Sequence, residues 1–214
     1  MSTTDTITIE GFTAWLAAFR DRVTEQRSYL TELDSAIGDA DHGANMARGM
    51  AAVMEKVGAS PATTADELFK TVGMTLVTSV GGASGPLYGT FFLRLGMTAG
   101  AVAGCDAAAL SSALRAGLDG VVARGKAEAG DKTMFDAMAP ALEAMDAAIA
   151  SGASLAEATA AARDAAAAGR DATEPLVARK GRASYLGERS AGHLDPGATS
   201  TALLFDALAE VTAS

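Results

Sequence analysis

EGFTAWLAAFRDRVTEQRSYLTEL, residues 10–33, decides the fold class. Its apolar residues Phe12, Trp15, Leu16, Phe19, Val23, Leu30 and Leu33 lie close to the i, i+3, i+4 spacing that lines one face of an α-helix. The pattern predicts a first helix from near Glu10 to near Leu33. Strand alternation over a useful length is absent elsewhere, apart from the weak Thr6-Ile-Thr-Ile9, read as a lead-in.

Outward from this stretch the same period repeats between breakers. A second helix is expected from Ala44 to Val57, ended by Gly58, Ser60 and Pro61. Thr64-Ala-Asp-Glu67 has the spacing of a capping box and should open a third, reaching about Ser79. Pro86 suits the first turn of a fourth, to about Gly100. Asp106 can cap a fifth with Leu110, Leu114, Leu118 and Val121 on one face. Thr133 can cap a sixth, to about Ala150. Ser154-Leu-Ala-Glu157 opens a seventh, alanine-rich helix that Pro175 ends or bends, and Pro196 starts the last. About eight helices result. The polar and glycine residues collect in four connections, 34–43, 81–86, 125–133 and 179–197, which suggests a site at one end of a bundle. With no internal repeat and no linker, 1–214 reads as a single domain.

The composition agrees. Hydrophobic residues make up 49% and charged residues 20%, a balance that supports a packed core. Aromatics are only 5%, and the abundant alanine lets helices approach closely. A formal net charge of −9 argues against wrapping nucleic acid or lying on an anionic membrane. Cys105 is the one cysteine, so an internal disulfide is impossible and a reducing compartment is expected. Met1 to Glu10 lacks the basic start and apolar run of a signal peptide, and no uninterrupted apolar stretch has the length of a membrane span. The expected location is the cytoplasm.

The segment Leu33-Asp34-Ser-Ala-Ile-Gly-Asp39-Ala-Asp41-His42-Gly-Ala-Asn45 carries the chemistry. In an extended loop Asp39 and Asp41, two apart, point to one side. Asp34 sits at a helix C-terminus, where the dipole disfavours a carboxylate. Three carboxylates this close repel unless a cation neutralises them, and hard oxygen ligands suit Mg²⁺ or Ca²⁺. An EF-hand fails: with Asp39 at position 1, position 12 is Met50 instead of a glutamate. One cysteine and two histidines disfavour zinc. Mg²⁺ carried in with a phosphate ligand fits better. An isolated D-x-D more often makes turns and caps helices; the third aspartate, His42 and two glycines turn the balance towards a site. For His42 on its own, a local hydrogen bond to backbone is the expected role.

Gly81-Gly82-Ala83-Ser84-Gly85-Pro86 runs into a helix start, where backbone N–H groups and the dipole favour an anion; a plain turn explains it as well. Gly120-Val-Val-Ala-Arg-Gly125-Lys126-Ala127 nearly spells a P-loop, but Ala127 replaces the Mg²⁺-binding Ser/Thr and a helical stretch replaces the strand. Gly130-Asp131-Lys132-Thr133 is a turn into a helix that could offer N–H groups. Arg179, Lys180, Arg182 and Arg189 form the densest basic stretch; Arg182 or Arg189 could clamp a phosphate, or simply face solvent. Asp195 is either an N-cap or a ligand contact. His193 carries no role.

Four motifs, LDSAIGDADHGANM (33–46), GGASGPLYGTFF (81–92), GKAEAGDKTM (125–134) and RKGRASYLGERSAGHLDPGATS (179–200), make the chain resemble the nucleotide-binding subunit of dihydroxyacetone kinase, the DhaL or Dak2 family. The resemblance implies a barrel of eight antiparallel helices with a nucleotide site at one end. It implies that Asp34, Asp39 and Asp41 bind two Mg²⁺ ions bridging the phosphates of ADP or ATP. His42, Gly43, Ala44, Asn45, Ala83 and Ser84 would contact the nucleotide, as would Gly125, Met134, Arg182, Asp195, Pro196 and Gly197. It assigns no certain catalytic residue; metal ions and Arg182 would position the phosphates. Phe135 and Leu194 sit inside motifs without a role.

In that family the sugar is held covalently by a different, DhaK-like subunit, so a partner is implied. Stand-alone subunits of this kind commonly belong to the phosphotransferase system, where a DhaM-like phosphocarrier rephosphorylates bound ADP. Other members use free ATP on dihydroxyacetone or a related short ketose or tetrose. A non-enzymatic alternative is a nucleotide-dependent regulator that binds a transcription factor.

Overall fold

A computed structural model describes residues 6–213. Met1 to Asp5, which belong to the stretch read as lacking a signal peptide, and Ser214 lie outside the described residues. The described residues are mostly helical, with two three-residue strands among them, β1 (Thr6–Thr8) and β2 (Gly104–Asp106), which pair antiparallel with Ile7 opposite Cys105. Ile9 already opens the first helix, and the lead-in at Thr6-Ile9 is therefore a strand over Thr6–Thr8. Its partner lacks alternation of its own, so only the tertiary pairing shows it.

The helices are α1 (Ile9–Glu25), α2 (Arg27–Ile37), α3 (His42–Ala59), α4 (Ala65–Ser79), α5 (Ser84–Ala99), α6 (Ala107–Gly125), α7 (Phe135–Ala150), α8 (Leu155–Ala172) and α9 (Pro196–Thr212). A kinked 3₁₀ segment, Arg182–Ser190, interrupts the loop before α9. The expected first helix is thus two. The break falls at Gln26, whose ψ of 14° departs from helical geometry without a proline or glycine to announce it. Phe12, Trp15, Leu16, Phe19 and Val23 do form the buried face of α1. In α2 the inward face is Leu30, Asp34 and Ile37, so Leu33 is only half-buried and a carboxylate stands among core positions.

Most predicted helix starts are present, with adjustments. Asp106 accepts the N–H of Ala109 at 2.8 Å, and Ser154 with Glu157 forms a reciprocal capping box. The box expected at Thr64 is displaced: Glu67 accepts from the N–H and hydroxyl of Thr63, while Thr64 turns its hydroxyl to Asp66. Thr133 accepts from Phe135 N–H at 3.2 Å, one turn position before α7. Pro86 lies in the first turn of α5, where its missing N–H costs no helical bond.

Consecutive helices from α3 to α9 pack against one another, α9 packs against α1, and α1 against α3. The main apolar cluster takes its buried rings from α1, α4, α5 and α9. Phe12 meets Phe69 edge-on at 5.0 Å, Phe91 meets Phe92 at 5.1 Å, and the Trp15 indole N–H donates to Leu204 O at 2.9 Å. Small residues allow close approach. A Cβ on Gly169 of α8 would lie 2.2 Å from Asp136 O on α7, so only glycine fits there. Among the described residues no helix is long and apolar enough to cross a membrane, and Cys105 is a buried free thiol.

Candidate cation and phosphate site

Four helices, α3, α5, α7 and α9, begin around one cavity of about 300 Å³, and α2 and α6 end there. The positive dipole ends of four helices therefore face a common space. Three carboxylates stand at the same place. Asp34, Asp39 and Asp41 each offer an oxygen within 4.8 Å of the others.

Their local structure explains how they meet. The Asp34 carboxylate is buried at the end of α2, and its Oδ2 accepts the N–H groups of Asp41 at 2.8 Å and His42 at 3.1 Å. It thereby caps α3 from the preceding helix, where Asp41, in the N-cap position, makes no side-chain cap bond. The turn between them is tight: a Cβ on Gly38 would fall 2.0 Å from Asp34 Oδ1. The loop is not the extended stretch expected from the D-x-D spacing. Ala40 adopts φ +60°, a region a non-glycine residue rarely enters, and this turn brings Asp39 and Asp41 together. Asp39 Oδ2 pairs with Arg182 Nε at 2.9 Å across the cavity mouth.

The donor set suits a divalent hard cation. It consists of oxygens only, one member is held rigid by two backbone N–H groups, and one guanidinium does not balance three carboxylates.

Beside the cluster lies a chain of buried hydroxyls. His42 Nδ1 contacts Ser84 Oγ at 3.1 Å and Nε2 contacts Ser200 Oγ at 2.9 Å. Ser200 continues to the Tyr88 hydroxyl at 2.8 Å, which also meets Thr201 at 3.1 Å. His42 thus bonds distant side chains, contrary to the local backbone bond expected of it. Burial lowers its pKa, outweighing the pull of Asp34 and Asp41. Burial pushes the Tyr88 phenol up to about 12. Asp195 accepts Ala198 N–H at 2.6 Å as the N-cap of α9; buried and near Asp136 and Asp34, its carboxyl is pushed up to about 7.

Of the residues expected at a nucleotide site, Ala83, Ser84, Gly125, Met134, Arg182, Asp195, Pro196 and Gly197 line the cavity together with His42 and the three aspartates. Gly43, Ala44 and Asn45 do not. Gly43 packs against the Arg27 carbonyl, and Asn45 accepts from Arg48 at 2.6 Å and lies against Gly81. Arg189 and His193 are exposed away from the cavity. Sequence reasoning missed Tyr88, Ser200 and Lys132. A tyrosine or lysine inside a glycine-rich motif was the available signal, since each needs polar partners once buried.

Clustered carboxylate oxygens beside converging helix starts are suited to a polyphosphate with its cation. The chain belongs to the DAK2 domain family, whose model matches residues 36–210. It is 45% identical over 207 residues, 97% of this chain and all of the relative, to the ADP-binding subunit DhaL of the PTS-dependent dihydroxyacetone kinase of Lactococcus lactis. It is 47% identical over 195 residues, 91% of this chain and 93% of the relative, to the ADP-binding subunit DhaL of the PEP-dependent enzyme of Escherichia coli. The crystal structure of the dihydroxyacetone kinase of C. freundii with AMP-PNP and Mg²⁺ superposes with TM-score 0.72 at 29% identity. That match covers 92% of this chain and 33% of the other, so the chain spans about a third of that kinase.

Proposed function

We propose that this chain is the ADP-binding subunit of a dihydroxyacetone kinase. It moves a phosphoryl group from a Mg²⁺-bound nucleotide to dihydroxyacetone held covalently on a separate subunit, and a PEP-dependent phosphocarrier regenerates the donor. The convergence of Asp34, Asp39 and Asp41 at a cavity ringed by four helix starts carries this reading. The names of the two bacterial relatives, matched nearly end to end, support the partner and the donor.

In this reading the three carboxylates hold two Mg²⁺ ions, which when bound offset phosphate charge. The chain's own groups do the rest. N–H groups at Ala83-Ser84, Met134 and Gly197 bind phosphate oxygens, while Leu87, Val121 and Met134 give the nucleoside an apolar wall. Arg182, exposed beside Asp39, adds a cation where the phosphoryl group leaves. Phosphoryl transfer needs positioning and charge compensation more than proton chemistry. Tyr185, 88% exposed on the Arg182 segment, supports a protein partner seated over the mouth. The neighbour order of the helices, returning from α9 to α1, supports a closed eight-helix barrel with α2 extending α1 at the site end.

Reconstitution tests the reading. Purified chain should retain ADP and, with a sugar-binding subunit, PEP and the phosphotransferase proteins, form dihydroxyacetone phosphate. Free ATP exchanging rapidly and serving as well as the phosphocarrier would overturn the donor assignment; no transfer from either would overturn the enzyme assignment.

A further inference from the structure

Lys132 is among the largest side chains buried in the molecule, at 1% exposure, and the proposed phosphate chemistry does not use it. Its backbone has φ +63°, a conformation that glycine or asparagine adopts more easily. The backbone therefore does not select a lysine; its ammonium does. Nζ donates to three main-chain carbonyls, Glu174 O at 3.2 Å, Leu176 O at 3.0 Å and Ser190 O at 2.7 Å. All three donors of the ammonium are thus engaged.

Those carbonyls belong to the two legs of one loop. Glu174 and Leu176 begin it and Ser190 ends it, with Arg182 and Tyr185 on the span between. Other bonds tie the same legs together. Ala178 N–H donates to Ser190 Oγ at 2.8 Å, Gly192 N–H to Glu174 O at 2.8 Å, and Arg179 N–H to Asp131 O at 3.0 Å, next to Lys132. Beyond these ties the span touches the body through little: Ala178 and Ala183, with Leu186, pack on Ile37, and Arg182 reaches Asp39. Gly181 and Gly187, both at positive φ, flank the Arg182 turn. A buried ammonium whose three hydrogen bonds go to carbonyls of both legs, with Asp195 and Glu174 adding charge attraction, fixes the separation of the legs more firmly than a hydrophobic contact would, because displacing either leg leaves donors of the ammonium unpaired inside the protein.

We propose that Lys132 is a positioning residue that staples the two legs of the 174–190 loop and so holds Arg182 over the three-aspartate cluster. The catalytic part of this rests on the kinase reading above; the staple itself does not. The test is Lys132→Met, which keeps length and removes the charge. Trypsin cleavage after Arg179, Lys180 and Arg182 should rise about tenfold, by mass spectrometry, with far-ultraviolet circular dichroism unchanged. In the reconstituted kinase, kcat should fall about tenfold while Mg²⁺-ADP affinity stays within about threefold. Arg182→Ala should then cost far less in the Lys132→Met background than in the wild type, because both losses act through one guanidinium. Unchanged loop cleavage, or fully additive losses, would overturn the proposal. Should Lys132→Met fail to fold, Ser190→Ala, which releases the Ala178 tie, should raise the same cleavage about threefold; no rise would count against the staple. If the wild type shows no phosphotransfer at all, the kinase reading fails while the cleavage data still decide the staple.

Discussion

Helices α8 and α3 both begin with a carboxylate near their first free N–H groups, but they obtain it differently. At α8 the cap is local: Ser154 accepts from Glu157 N–H at 3.2 Å, and Glu157 accepts from Ser154 N–H at 2.8 Å, all in solvent. At α3 the acceptor is Asp34, buried, seven and eight residues back and part of the previous helix. The α8 start, capped by its own residues, does not line the cavity. The α3 start, capped from elsewhere, keeps its own Asp41 carboxylate uncommitted and brings a third carboxylate to the same point. At the site end α3 uses this second arrangement, while α9 is capped by its own Asp195.

Breaking the remote cap should give the largest effect. Asp34→Ala strands two N–H groups at the start of α3 and should lower stability by about 2–4 kcal/mol in urea denaturation, with loss of ADP binding. Asp34→Asn keeps an acceptor and should retain most of the stability while still losing Mg²⁺-dependent binding. If both variants lose both properties equally, capping and ligation are not separable at this residue. Arg182→Ala should next reduce phosphotransfer about a hundredfold. Its ion pair is two-thirds exposed on the arginine side, so stability should move by less than about 0.5 kcal/mol.

The cap of α9 offers a pH test. Asp195 has a pKa raised to about 7 in the fold against an ordinary 3.8, so the folded chain holds a proton that the unfolded chain releases. Stability from this group is fully present below about 4 and is lost as pH rises towards 7. Metal-free wild type should therefore become easier to denature across that window, and Asp195→Asn should flatten the slope; an identical slope in the variant would contradict the burial effect. The smallest change belongs to the self-contained cap. Ser154→Ala should lower Tm by about 2–4 °C and leave Mg²⁺-ADP affinity untouched.

What could be read from the sequence follows the same division. Local signals were legible: the α1 face from Phe12 to Val23, the Asp106 and Ser154 caps, Pro196 at the start of α9, and the aspartates by their crowding. Features made by tertiary contact were not. Nothing at Gln26 announces that α1 stops, Thr6 to Thr8 gives no sign of its partner strand, and Leu33 yields the inward face to Asp34 because residue 34 shares a helix face with Leu30 and Ile37. In the site, Arg182 and Asp195 were legible from charge and capping pattern. Tyr88, Ser200 and Lys132 were not, since their partners lie 112, 158 and 42 to 58 residues away. Asn45 looked like a ligand group by its motif, yet its amide oxygen is engaged by Arg48.

The most direct measurement is calorimetric titration of ADP into the wild type and Asp39→Asn, each with and without Mg²⁺. Asp39 contacts Arg182 but caps no helix, so its substitution tests ligation with little disturbance of the scaffold. Helical circular dichroism should be unchanged, wild-type binding should require Mg²⁺, and the variant should bind about a hundredfold more weakly or not at all. Equal ADP affinity in the two proteins, or wild-type binding indifferent to Mg²⁺, would contradict the account.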